Sequence, residues 1–140
     1  MTWHETPLTV RFNEVDAYQV AWHGHFVAWM EVGRNDLAGL FDLNAQQISA
    51  AGYRAPVVSL ELSYKRPARF NEELTVGTIA RRTEIATLEF LTRITGADGV
   101  VIATGRTVHV LTDDQGTLLY RLPATIAGRL ERMFAYLEGT

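Results

Sequence analysis

Cysteine is missing from all 140 residues, which excludes disulfides, thiolate metal sites and thiol nucleophiles and fits a reducing compartment. Missing too is any apolar run near the ~20 residues that cross a bilayer. The first ten residues, MTWHETPLTV, lack the basic start and apolar stretch of a signal peptide. The expectation is a cytoplasmic protein with no membrane association. Positive charge is scarce: thirteen basic against sixteen acidic residues leave a formal net charge of -3, which argues against holding nucleic acid through bulk charge. Any anion site must therefore be local. Repeats and low-complexity linkers are absent, and the length fits a single domain over residues 1–140. What is present is apolar material, 47% hydrophobic against 21% charged residues, enough to enclose a sizeable core.

Its arrangement sets the order of elements. From Pro7 to Phe12, Leu8, Val10 and Phe12 alternate with Thr9 and Arg11, the two-residue period of a half-buried strand. From about Gly24 to Phe41, Phe26, Met30, Gly33, Leu37 and Leu40 recur at three- and four-residue steps, which predicts a long, largely enclosed helix. Gly33 would let a neighbour approach its backbone. A polar connection, DLNAQQISAAGY, leads to four alternating runs at 58–65, 74–81, 86–94 and 100–111, with turn signals GADG and DDQG. Pro123 suits the first turn of a terminal helix striped by Ile126, Leu130, Met133, Phe134 and Leu137. The class is α+β. One sheet wraps one helix, the last four strands are expected as an antiparallel meander, and the apolar positions left over invite a second copy.

The chemistry concentrates in EVDAYQVAWHGHF, residues 14–26. Asp16 follows the first strand, and His23 stands where the helix should begin. Free amides and the positive end of the helix dipole gather there, so a carbonyl oxygen acquiring negative charge could be held by the amides around His23, Gly24 and His25. Asp16 could attack the carbonyl carbon or activate a water. An Asp before a helix also commonly caps it or makes an Asx turn, and a space-filling role for His23 or His25 is equally ordinary. The HGH pair lacks the further carboxylates of a metal site, so none is assigned. Tyr18 and Trp22 read as packing groups or as walls of a pocket. A second cluster, SYKRPARFNEEL at 63–74, brings Lys65, Arg66 and Arg69 around a proline. It reads as a solvated hairpin edge or as a phosphate clamp reinforced by Arg81 and Arg82.

These two clusters, in this order, resemble the hotdog-fold acyl-CoA thioesterases of the 4-hydroxybenzoyl-CoA thioesterase type, through RFNEVDAYQVAWHGHFVAWMEVGR and YKRPARFNEELTV. The resemblance spans about residues 6–135. It implies an antiparallel five-stranded sheet around a central helix, with a short C-terminal helix. It implies hydrolysis of an acyl-CoA or acyl-carrier-protein thioester with Asp16 as the catalytic carboxylate. The His23 amide, and in members with this residue its side chain, would act on the carbonyl. Phosphates of coenzyme A would fall to Lys65, Arg66, Arg69, Arg81 and Arg82, and the acyl group to Tyr18, Trp22 and Ser59. Glu61 and Ser63 are further candidates from a partner, because the site of such dimers lies between subunits. No resident cofactor is implied, and a homodimer or homotetramer is. Tyr18 and Gln19 depart from the small residues of many relatives, and Phe12 replaces a tyrosine found in some.

Two other functions use the same residues. A hydratase or dehydratase would employ His25 or His23 with Glu31 for proton transfer, and a non-catalytic protein would only bind acyl thioesters.

Overall fold

The computed structural model describes residues 1–139. In chain order it contains β1 (His4–Thr9), a 3₁₀ turn (Phe12–Glu14), α1 (His25–Gly39), α2 (Ala45–Ala50), β2 (Tyr53–Arg54), β3 (Val57–Tyr64), β4 (Glu73–Arg81), β5 (Thr87–Gly96), β6 (Val101–Val110), β7 (Thr112–Asp113) and α3 (Ala124–Glu138). Five strands form one antiparallel sheet in the order β1-β4-β5-β6-β3. This is the hotdog arrangement, with α1 laid against the sheet. Gly33 lets it lie close, since a Cβ there would press on Val76 and Thr78 of β4.

Two layers of core meet along α1. Its first half buries Phe26 and Trp29 with Val76, Ile94, Ile102 and Ala103 from the sheet. Its second half buries Leu37 and Ala38 with Leu88, Phe90 and the α3 stripe of Ile126, Leu130, Met133, Phe134 and Leu137. The stripe expected from the sequence is thus the packed face of α3, and its C-cap is Gly139 at φ 79°, the left-handed position that favours glycine.

Three expectations change. The first strand ends at Thr9 rather than Phe12, because the backbone tightens at Phe12 into the 3₁₀ turn and leaves that ring 78% exposed against Phe70. The last four strands do not run as a meander: β4, β5 and β6 do, whereas β3 crosses to the far edge and pairs with β6. Its former place beside β4 belongs to β1. Alternation encodes which face a strand buries and not which neighbour it takes. The polar connection contains α2, started by a reciprocal cap in which Asn44 Oδ1 accepts from the Gln47 N–H (2.9 Å) and Gln47 Oε1 accepts from the Asn44 N–H (3.0 Å).

Candidate active site

The loop before α1 is a small hairpin. Val15 bridges Ala21, the Asp16 N–H donates to Val20 (2.9 Å) and the Trp22 N–H donates to the carbonyl of Glu14 (2.9 Å). At the tip the Gln19 N–H returns to the Asp16 carbonyl (3.0 Å), and Gln19 takes a left-handed φ of 66°. That backbone position suits glycine, which gives the departure at Gln19 a local meaning. The hairpin sets the Asp16 arm alongside the arm that carries His23 and Gly24.

Asp16 makes the Asx turn foreseen for it and leaves one carboxylate oxygen open. One oxygen, Oδ1, accepts from the Tyr18 N–H (2.8 Å) in an Asx turn, while Oδ2 has no hydrogen-bond partner among the described residues. The residue is half-buried. It is an oriented carboxylate with an open oxygen.

The other arm opens α1. The N–H groups of His25, Phe26 and Val27 are taken by the carbonyls of Trp22, His23 and Gly24, so the His25 amide is already committed. The N–H groups of His23 and Gly24 have no acceptor among the described residues, leaving a pair of donors at the positive end of the helix. Trp22 lies over Gly24 so closely that a Cβ there would overlap the indole. The indole is flanked by both imidazoles, with centroids 5.1 Å from His23 and 5.4 Å from His25. Both rings therefore pack on Trp22.

Two residues not singled out in the sequence, Tyr64 and Glu14, hold this assembly. Tyr64, at the end of β3, donates its hydroxyl to the His23 carbonyl (2.7 Å), the other end of the peptide whose N–H is Gly24's. Its ring packs edge-on against Phe26 and His23, and burial pushes the phenol pKa up, which keeps it a donor. Glu14 is 3% exposed. Its carboxylate accepts from the Arg11 N–H (2.8 Å) and from the indole N–H of Trp29 on α1 (2.8 Å), and pairs with the Arg11 guanidinium (3.2 Å). Burial opposes its charge, but the hydrogen bonds and charge of Arg11 and the indole N–H outweigh it and hold the carboxyl below its ordinary range. An acid three residues after Arg11 at a strand end was the available signal; nothing in the pattern marked it as buried.

The basic cluster comes apart. Arg66 is tied to Asp98 (2.9 Å) and Glu72 (3.3 Å). Arg81 pairs with the buried Glu89 (3.3 Å), and Arg82 with Glu131 (2.9 Å) and Glu138 (3.1 Å) of α3. Arg81 and Arg82 sit at the far end of β4, about 26 Å of strand from the Lys65–Arg69 loop at ~3.3 Å per residue, so the structure does not bring the five cations together. Lys65 and Arg69 have side chains with no acidic partner among the described residues.

The expected pocket residues also separate. Tyr18 stands 84% exposed on the loop and Trp22 is half exposed over Gly24. Ser59, Glu61 and Ser63 alternate with Leu62 and Tyr64, which face α1, so those three point to the outer side of the sheet. Glu31 pairs with Arg34 (3.0 Å) beside a cavity of about 540 Å³ that Asn35, Phe90 and His109 also line. Six residues beyond His25, it lies about 240° around the helix at ~100° per residue, so α1 does not present Glu31 and His25 together.

The profile of the thioesterase-like superfamily matches residues 10–130. The chain belongs to that family. The acyl-CoA thioester hydrolase YbgC of Escherichia coli O157:H7 is similar, 23% identical over 126 residues that span 90% of this chain and 94% of that protein. YneP of Bacillus subtilis (strain 168) is 32% identical over 71 residues, and this match spans 51% of each protein. Among solved structures, the DHNA-CoA thioesterase of Staphylococcus aureus superposes with a TM-score of 0.84 at 21% identity, over 100% of this chain and 97% of that one. That superposition takes in every element from β1 through α3, and among the described residues no helix is long and apolar enough to cross a membrane.

Proposed function

We propose that this protein hydrolyses an acyl thioester of coenzyme A or of an acyl-carrier protein to the free acid and thiol. The observation that carries the reading is a hairpin whose first arm carries a carboxylate with an open oxygen and whose second arm leads into two unpaired amides at the start of α1. The substrate carbonyl lies between the arms. Asp16 either attacks the carbonyl carbon, giving an anhydride that water then opens, or takes a proton from a water that attacks. In both routes the carbonyl oxygen becomes an oxyanion held by the His23 and Gly24 N–H groups, and the carbon–sulfur bond breaks as the oxyanion collapses, releasing the thiolate for protonation. Coenzyme A enters as part of the substrate. Of the five basic residues considered for its phosphates, Lys65 and Arg69 carry the proposal, because the other three are occupied by acids.

The site borders an open edge. On β3 Val57, Val58, Leu60 and Tyr64 are each more than 40% exposed, a row that a second copy would cover by strand pairing. A dimer mass in light scattering at micromolar concentration is the expected result, and a monomer would remove this part of the proposal.

Thiol release over a panel of coenzyme A and carrier-protein thioesters tests the reaction. Wild type should release thiol, and Asp16→Asn, which retains an acceptor for the Tyr18 N–H, should fold and bind yet lose most turnover. An Asp16→Asn protein with wild-type turnover would sink the role of Asp16. Saturable binding with no release from any member would favour the non-catalytic reading.

A further inference from the structure

Glu14 is the most buried carboxylate of the chain's described residues, it lies two residues from Asp16, and the reaction above gives it nothing to do. Its bonds nevertheless run in three directions. The side chain reaches α1, at the Trp29 indole N–H. It also reaches back to the backbone and guanidinium of Arg11, where β1 gives way to the 3₁₀ turn. Its own carbonyl accepts the Trp22 N–H, one residue before the His23 amide. We infer that Glu14 is a positioning residue that sets the separation of the Asp16 carboxylate from the His23 and Gly24 amides by fixing both arms of the hairpin to α1. The inference rests on the hydrolase reading for its catalytic consequence, and on the bonds alone for its geometry.

The physical case is one of stiffness. A hairpin of eight or so residues with a left-handed tip has few internal bonds, and its arms would shear against each other without an external reference. Trp29 supplies that reference: it is 3% exposed and packed against Phe26 at 4.7 Å, in the helix whose first amides are the proposed oxyanion donors. A carboxylate accepting several donors where burial disfavours it is retained only while all of them are in place, so Glu14 has one position and the hairpin inherits it. Misplacement of reacting groups by ~1 Å can lower a rate by ~100-fold.

The test compares Glu14→Ala, Glu14→Gln and Trp29→Phe with wild type in the thiol-release assay. Glu14→Ala should lower kcat by about 100-fold, and Glu14→Gln, whose amide oxygen still accepts from the indole, should keep a smaller loss of about three- to tenfold against wild type. Trp29→Phe, which deletes the donor along with part of the buried indole's volume, should match Glu14→Gln in kcat, with KM within about threefold throughout. Wild-type kcat in the folded fraction of Trp29→Phe and Glu14→Gln, alongside a lowered melting temperature, would mean that Glu14 merely stabilises and would overturn the inference. Should Glu14→Ala not fold, the other two variants decide. Should wild type hydrolyse no thioester, the hydrolase reading fails by itself, and crystal structures of the same two variants still judge the positioning. An Asp16 carboxylate moved by about 1 Å or more from the Gly24 nitrogen supports it, and an unmoved one refutes it.

Discussion

Both ends of α1 pack on apolar faces, but the hairpin that precedes its start is fixed in another way. At its start, the hairpin is fastened by directional bonds: Glu14 to Trp29, Tyr64 to the His23 carbonyl, Asp16 to the Tyr18 N–H. At its end, Leu37 and Ala38 are held by contact with the apolar faces of β5 and α3. Hydrophobic packing is non-directional and scales with area, so it secures the fold while tolerating small shifts. Hydrogen bonds fix positions to fractions of an ångström at a modest net free energy of about 1 kcal/mol each. The end that carries the proposed reacting groups adds the second kind at those groups themselves.

The widest break between the ends comes from pairing Asp16→Asn with Leu37→Ala. The first should lower kcat by about 10²-fold or more while leaving the urea midpoint near wild type. The second removes a side chain with no exposure and should cost about 2–5 kcal/mol of stability with kcat of the folded fraction unchanged. Loss of stability in the first or of turnover in the second would show that the ends are not separable.

A smaller effect belongs to Tyr64→Phe. The ring still packs on Phe26, but the His23–Gly24 peptide loses its hydroxyl donor, so kcat should fall by about three- to tenfold, the equivalent of ~1 kcal/mol. Steady-state kinetics with an unchanged melting curve would bear this out; a fall in stability with intact kcat would not.

The smallest is a difference in pH response. His109, buried beside Phe90 near the second half of α1, donates from Nδ1 to the Ala55 carbonyl (3.0 Å) and accepts at Nε2 from Thr107 (3.1 Å). Burial lowers its pKa, so the folded state resists a proton that the unfolded chain accepts at about 6.5. The stability is complete above that value and declines as pH falls through it toward the folded pKa. Glu14, also lowered, keeps its contribution until the pH drops below about 4.3. Urea midpoints at pH 7.5 and 5.5 should therefore differ in wild type and converge in His109→Gln. An equal drop in both proteins would place the titration elsewhere.

The two long helices, α1 and α3, and the strand faces were legible because each is written in a period: Leu37 and Met133 fall on apolar stripes, and Leu62 and Tyr64 alternate with Ser63. The Asp16–His23 loop was legible as a crowd of reactive side chains. What stayed hidden depends on direction and neighbour. Nothing in β3 names β6 as its partner, and Arg81 and Arg82, close to the loop in sequence, are carried away by the length of β4 to meet acids of β5 and α3. Glu14 was hidden for another reason. A lone acid at a strand end reads as solvated, and only the indole of Trp29, fifteen residues on, explains its burial.

The dismantled basic cluster has a consequence for encounter with substrate. Five cations would make a strongly attractive patch whose effect collapses in salt, but three are already neutralised within the fold. Two unpaired charges on a chain of net charge -3 give a weak, short-ranged pull, extending about 8 Å at physiological ionic strength. Capture of a nucleotide-tailed thioester would then vary gently with added salt, and selectivity would come from the fit around the hairpin more than from long-range attraction.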